Sequence, residues 1–348
     1  SKDENQQAQV VCALRKVKGE TEMDLQNRDN EMRVFVAGAT GVLGRRVVPQ
    51  LVKAGYEVTA VGRSEAARLQ LANVGAMPVA LELFDLDAVH LAVANHEVVI
   101  NLATHVPLGL KGFLPGAWRM TTRIRRYGAA NLAQAALGGG ARRYIQESFA
   151  PIYPDSGDRW IDEEAPTHAA RYNNAVLDAE AAAMRFTERG RTGIALRFAF
   201  LYGADSPMTL DTIRYVQRGW APVFGDPQAY YSSLSHDDAA AAVVAALSLP
   251  AGIYNVSDDE PLTREEYIAS LVSALDATPP RFPPRWIVKL LGSMGETLAR
   301  SQRISNHKLK AHSSWRPRYP SMRQGWQGVL EAVGEGNPMR VIKWEKSS

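Results

Sequence analysis

The sequence predicts an α/β fold, a doubly wound parallel sheet followed by a smaller C-terminal lobe. Two observations carry that prediction. From Met32 onward, short β-branched runs alternate with alanine-rich stretches of helical length, the rhythm of repeated βαβ units. After about Leu201 the rhythm breaks: Pro207, Pro222, Pro227, Pro250 and Pro261 punctuate shorter elements, and Pro279, Pro280, Pro283 and Pro284 form a proline-rich connection. The 348 residues suffice for one large α/β domain or for two lobes sharing a core.

Taken in order, residues 1–31 are rich in Lys, Glu, Asp, Gln and Asn, with Val10–Leu14 the one apolar run. They read as a flexible N-terminal extension or an expression-derived leader, with Met32 as the original start; the rival is a short helix docking through Val10, Val11 and Leu14. Strands are expected at Arg33–Ala37, Glu57–Val61, Met77–Ala80, Val98–Leu102, Arg143–Glu147 and Gly193–Phe198. Helices fall between them, near Gly41–Ala54, Glu65–Asn73, Leu86–Ala94, Thr121–Leu137 and Tyr172–Arg189, and right-handed crossovers place them on both faces. Gly138-Gly139-Gly140 stops the fourth helix. The expected organisation is a dinucleotide-scale domain over 32–200, a second lobe over 201–335 that returns a segment to the main sheet, and a tail over 336–348.

Composition narrows the function. A net charge of +3 is too mild to make nucleic acid the default partner, and the aromatic residues are not interleaved with a basic strip. Arg281 to Arg323 carries ten Lys or Arg against one acid, Glu296, either a solvated basic face or the border of a cleft for an anion. Cys12 is the only cysteine, so no disulfide framework or thiolate cluster is available. No apolar run reaches the roughly 18 residues of a membrane span, and no signal-peptide core is present. A cytoplasmic protein without membrane contact is expected. Zinc-binding His-Glu-x-x-His, the Gly-x-Ser-x-Gly elbow and a phosphate-binding Gly-Lys-Ser/Thr are absent, and no metal is expected.

The informative segment is Gly38-Ala39-Thr40-Gly41-Val42-Leu43-Gly44, which follows one predicted strand and opens a helix. Gly38 permits the tight turn, Gly41 lets backbone approach a pyrophosphate, and Gly44 allows close helix–strand packing. The free N–H groups and positive dipole end of the helix then face the phosphates. This is a Rossmann-type dinucleotide site. At the end of the second strand, Val61-Gly62-Arg63-Ser64 lacks the acid that holds an NAD ribose; Arg63 and Ser64 suit a 2′-phosphate. NADP is favoured, with NAD as the alternative.

With those residues on the page, the chain resembles an extended short-chain dehydrogenase/reductase of the NAD-dependent epimerase/dehydratase superfamily. The resemblance runs from about Met32 to about Val329. It is carried by Gly38–Gly44, Asp85-Leu86, Asn101-Leu102-Ala103, Arg142–Ser148 with Tyr153, Tyr172 with Glu180, Leu196-Arg197 with Tyr202-Gly203, Ser235–Asp238, Tyr254-Asn255-Val256, and Trp315 with Pro317. It implies that Asp85 and Leu86 border the adenine, and that Leu102, Ala103 and Thr104 lead toward the nicotinamide.

The resemblance also implies a tyrosine, a lysine four residues later, and a Ser or Thr after the fifth strand. Tyr172 is kept, but Val176 stands at the lysine position, Phe149 at the Ser/Thr position when aligned on Tyr153, and Arg125 at the helix asparagine that supports the lysine. In the family that lysine holds the nicotinamide ribose and lowers the tyrosine pKa. Without it, a phenol of pKa ~10 is about 0.1% ionised at pH 7, so Tyr172 is a poor base but an intact proton donor. Ser148 and His105 are the residues that could polarise an acceptor; Glu147, His168 and one of Arg123, Arg125 and Arg126 are secondary candidates. His236-Asp237-Asp238 is expected to fix the lobe interface. Trp118, Trp160 and Trp220 line an apolar pocket or pack the lobes. The expected function is NADP(H)-dependent reduction of a carbonyl or alkene in a small molecule, in a possible homodimer. The alternatives are a non-redox isomerase, cyclase or lyase, and a non-catalytic NADP-binding sensor or scaffold.

Overall fold

The computed structural model describes residues 32–107, 109–114 and 116–335; the expectations for 1–31 and 336–348 lie outside them. The first half runs β1 (Arg33–Ala37), α1 (Gly44–Lys53), β2 (Glu57–Val61), α2 (Glu65–Asn73), β3 (Met77–Val79), α3 (Leu86–Val93) and β4 (Val98–Asn101). A 3-10 turn (Gly109–Phe113), α4 (Arg119–Arg123), a π-helical turn (Ile124–Gly128) and α5 (Ala129–Gly138) lead to β5 (Arg143–Phe149). Then come β6 (Trp160–Ile161), α6 (Ala175–Glu188), β7 (Thr192–Phe198) and β8 (Phe200–Tyr202). The remainder comprises α7 (Pro207–Gln217), β9 (Tyr230–Tyr231), β10 (Ser233–Ser235), α8 (His236–Ala245), β11 (Gly252–Val256), β12 (Leu262–Thr263), α9 (Arg264–Leu275), α10 (Ile287–Leu290), α11 (Gly292–Ala299), β13 (Arg303–Ile304), α12 (His307–His312) and α13 (Met322–Glu335).

Seven strands form one parallel sheet in the order β11-β7-β5-β4-β1-β2-β3. Six were expected from sequence; the seventh, β11, arrives from far along the chain and pairs Gly252 with Ile194 through Val256 with Phe198. Strand order reverses between β1 and β4, and in such sheets the crevice outside the carboxyl ends at that reversal takes the ligand. The central strands β1 and β4 are buried on both faces and read as nearly unbroken apolar runs, whereas the edge strand β3 is largely exposed. One face packs Val34, Val36, Ile100 and Ile145 against α1 and α8. The other packs Phe35, Val99 and Tyr144 against the alanines of α5 and α6, including Ala133, Ala136, Ala179 and Ala183. Small side chains let α6 press on the sheet: a Cβ at Gly193 would strike the Ala183 carbonyl. A separate core around Tyr202, Ile213, Leu262, Tyr267, Leu271 and Trp326 holds the second lobe.

Three helix boundaries differ from the sequence reading. The first helix starts at Gly44 rather than Gly41, because residues 38–43 form the turn itself. The fourth is interrupted by the π turn at Ile124–Gly128. The fifth starts at Ala175, so Tyr172 lies on the turn before it. Helical periodicity carries no information about such insertions.

Candidate functional site

The glycine-rich turn separates two demands on glycine. Gly38 has φ +76°, and a Cβ there would meet the Leu102 and Ala103 backbone at 2.5–2.6 Å; a Cβ on Gly44 would strike the Gly38 carbonyl and lie 2.5 Å from the Ala39 Cα. Packing alone requires both. Gly41 is different: it is exposed, and its Cβ would meet only the Gly38 oxygen, at 3.2 Å. Its bareness faces outward, where a ligand approaches. The helix that follows is also left open. Side-chain oxygens cap α2 (Ser64), α3 (Asp85), α7 (Ser206), α8 (Ser235) and α9 (Thr263). Helix α1 has no side-chain cap and no acid in its first turn. The Arg45 and Arg46 N–H groups bond the Gly41 and Leu43 carbonyls, while the Leu43 and Gly44 N–H groups take no partner among the described residues and are left to an anion. The turn therefore fits a dinucleotide diphosphate.

At the end of β2, Arg63 and Ser64 line a shallow cavity of about 340 Å³ with Thr40 and Ala67. Arg63 is exposed, and no acid shares the cavity lining. The Ser64 oxygen accepts from Ala67 N–H, which leaves its hydrogen free to donate. Asp85 is exposed and its carboxylate caps α3 through Ala88 N–H at 3.0 Å; Leu86 is the first residue of that helix. Leu102 and Ala103 leave β4 directly against Gly38, with Thr104 and His105 exposed beyond them.

The other end of the crevice is built from buried side chains. The Thr121 hydroxyl donates to the His105 carbonyl, which fixes α4 against the loop leaving β4. One turn on, Arg125 is 4% exposed and donates through Nη2 to Glu147 Oε1 at 2.8 Å. Its Nε has no partner. Burial pushes the Glu147 carboxyl up, and the Arg125 charge opposes that rise. Tyr172 packs edge-on to Trp118, with ring centroids 4.8 Å apart, and Trp118 is held by Nε1–H donation to the Gly112 carbonyl at 2.9 Å. Burial raises the Tyr172 phenol above its ordinary value; a hydrogen bond shared with Thr297 on α11 and the charges of Arg125 and Arg300 act against it. Asn173 is 2% exposed, and neither amide atom has a partner.

The structure separates Ser148 from Tyr172. Successive strand residues point to opposite faces, so Ser148 turns away from Glu147 and Phe149. Its hydroxyl donates to Glu180, which also receives Arg197 Nε and Nη2 at 2.7 Å each; Arg197 Nη1 reaches Tyr153 and Tyr153 reaches Asn255. Ser148 is thus a fully buried member of a structural network, and the expectation that it polarises an acceptor is corrected. Phe149 lies edge-on to Phe200, which stacks on Tyr231 at 4.7 Å and 7°. His105 is exposed, its carbonyl taken by Thr121. His168 contributes its carbonyl to Arg300. Arg123 covers the Phe84 ring and Arg126 pairs with Asp178. His236 meets Asp205, Asp237 meets Arg46, and Asp238 accepts from the Arg318 and Tyr319 N–H groups. Trp160 stacks under Arg303, and Trp220 bridges to Arg281. No metal-holding cluster occurs among the described residues, and none of their helices is long and apolar enough to cross a membrane.

Thr297, Arg300 and Asn173 escaped the sequence reading. The first two reach Tyr172 from a distant helix, and no local spacing announces that. Asn173 adjoins Tyr172 but carries no motif of its own.

Comparison with known proteins agrees with this architecture. The family described as NAD(P)H-binding matches residues 38–250. A 3-diazoavenalumate denitrifying reductase from a Streptomyces species is 33% identical over 308 residues, covering 84% of this chain and 99% of that protein. Among solved structures, MoeE5 in complex with UDP-glucuronic acid and NAD superposes with TM-score 0.71 at 19% identity, covering 87% of this chain and 99% of that one. The human epimerase family protein SDR39U1 with NADPH gives TM-score 0.71 at 19% identity, covering 86% and 99%. These neighbours hold different nicotinamide nucleotides on the same fold. The chain belongs to the NAD(P)H-binding family.

Proposed function

We propose that the protein is an NADP(H)-dependent reductase that delivers hydride to a carbonyl or alkene carbon of a small organic molecule held beneath the second lobe. The observation that carries this reading is the uncapped start of α1 beside bare Gly41, with Arg63 rather than an acid at the end of β2. The α1 N–H groups would take the diphosphate, and Arg63 and Ser64 the 2′-phosphate. When bound, NADPH supplies the hydride. Phe149, Phe200 and Tyr231 offer an apolar, aromatic floor where the family places a hydroxyl. Tyr172 holds the transferable proton: its raised pKa keeps the phenol protonated across neutral pH, which suits reduction rather than alcohol oxidation.

A second reading has specific support. Ser148 is locked away, Val176 replaces the lysine, and Phe149 replaces the hydroxyl, so oxygen-polarising groups are scarce at this end. Reduction of an arenediazonium needs none: hydride forms the C–H bond, the C–N bond breaks, and dinitrogen leaves with that bonding pair. The 33% identical relative, named for a diazo compound, makes this acceptor worth testing.

The test follows NADPH absorbance with ketone, enone and arenediazonium acceptors, using wild type and Tyr172→Phe. Ketone or enone turnover that falls about 10²- to 10⁴-fold in the variant supports the first reading. That turnover should stay flat from pH 6 into the alkaline range, because a raised phenol pKa postpones loss of the proton. Diazonium turnover untouched by the substitution supports the second. Binding without consumption of NADPH defeats both and leaves the isomerase or sensor roles.

A further inference from the structure

We propose that Arg125, with Asn173, grips the nicotinamide ribose, doing from the π turn and the Tyr172 turn what the resemblance expects of a lysine at Val176. The inference rests on the NADP(H) reading above and assigns residues within the same crevice.

The position follows from a chain of contacts along the carboxyl edge of the sheet. Gly38 touches Leu102 and Ala103; two residues on, the His105 carbonyl accepts from Thr121; Arg125 lies four residues after Thr121 and pairs with Glu147 on β5. Its ion pair with Glu147, near the carboxyl end of β5, sets Arg125 beside the path that starts at the diphosphate turn. It also lies near enough to Tyr172 to oppose ionisation loss there electrostatically. Val176 is fully buried in α6 and offers no donor.

The side chains carry unspent hydrogen-bonding capacity at this point. Among the described residues, six buried side-chain polar atoms lack a partner, and three of them are Arg125 Nε and the two amide atoms of Asn173, the residue after Tyr172. Buried polar groups are ordinarily paired, and each exception calls for a missing partner such as a water or ion, or for a functional role. Glu147 neutralises the guanidinium and holds Nη2, leaving the Nε–H direction fixed rather than free to wander. A guanidinium N–H suits a ribose hydroxyl oxygen, and an amide supplies both a donor and an acceptor, matching a hydroxyl on both counts. The π turn beginning at Ile124 supplies the geometry, since the extra residue per turn re-aims Arg125 without ending the helix.

The experiment compares NADPH with 2′,5′-ADP, which keeps the adenosine with its 2′- and 5′-phosphates but lacks the nicotinamide mononucleotide half. Calorimetric titrations would use wild type, Arg125→Lys, Asn173→Ala, and the charge-balanced Arg125→Gln/Glu147→Gln, which avoids stranding a buried carboxylate. Expected is a 10- to 100-fold loss of NADPH affinity in the double variant, with 2′,5′-ADP affinity unchanged, a smaller loss for Asn173→Ala, and an intermediate loss for Arg125→Lys, which keeps the charge but not the fixed Nε–H direction. NADPH affinity within about threefold of wild type in the double variant overturns the inference, as does an equal loss for both nucleotides. If wild type binds neither nucleotide, the NADP(H) reading itself falls, a result distinct from the other two.

Discussion

The two ends of the crevice are built by opposite means. At the glycine-rich end the surface offered to a ligand is backbone: an uncapped helix start, a positive-φ glycine and a bare Gly41, with Arg63 and Ser64 added on the exposed rim. At the tyrosine end it is side chain, and mostly buried: Arg125 with Glu147, Tyr172 with Thr297, and an aromatic floor from Phe149 to Tyr231. A backbone surface is insensitive to most substitutions except those of its glycines. A side-chain surface can be rewritten residue by residue without moving the fold, as the resemblance implies for Val176 and Phe149.

The largest expected effect tests the buried end. Glu147→Ala strands the Arg125 guanidinium in a site where their side chains are 5% and 12% exposed, and breaking a buried pair this way costs about 3–5 kcal/mol. Urea unfolding should show that loss, while Arg125→Met/Glu147→Leu, which removes both charges, should stay within about 1 kcal/mol of wild type. Equal destabilisation by the single and double variants would mean that packing, not charge, holds this end. Arg63→Ala makes the contrasting case at the rim. Its stability change should stay within about 0.5 kcal/mol, yet the preference for NADPH over NADH should fall about 10- to 100-fold through loss of a charge-assisted contact. A variant that still prefers NADPH by the wild-type margin removes Arg63 from nucleotide selection.

The same contrast explains what could be read from the chain. Strand–turn–helix spacing around Gly38, Gly41 and Gly44 is local, so composition and position sufficed to locate the turn. The parallel sheet was equally legible, because buried strands and alanine-rich helices leave a period in the sequence; β11 was harder, since its pairing with β7 spans the chain. At the tyrosine end, the resemblance located Tyr172 and exposed the missing lysine, but it could not say that Arg125 would face Glu147 or that Ser148 would turn toward Glu180. Those outcomes depend on strand alternation by a single residue and on a π turn, neither of which has a compositional signature.

The smallest expected effect is the most discriminating for the backbone end. Gly41 does not adopt positive φ, and the only atom a Cβ would meet within 4 Å is the Gly38 oxygen at 3.2 Å. Gly41→Ala should therefore leave thermal melting within a few degrees of wild type, since the added methyl also restricts the unfolded chain. Its cost should appear only when a diphosphate comes close: NADPH affinity falling about tenfold, a shift of about 1.4 kcal/mol. Gly44→Ala should behave otherwise, losing stability and affinity together, because its Cβ strikes the Gly38 carbonyl whether or not a nucleotide is present. If Gly41→Ala binds NADPH as tightly as wild type, the exposed glycine is not where backbone meets phosphate, and the grip must be assigned to the rim side chains instead.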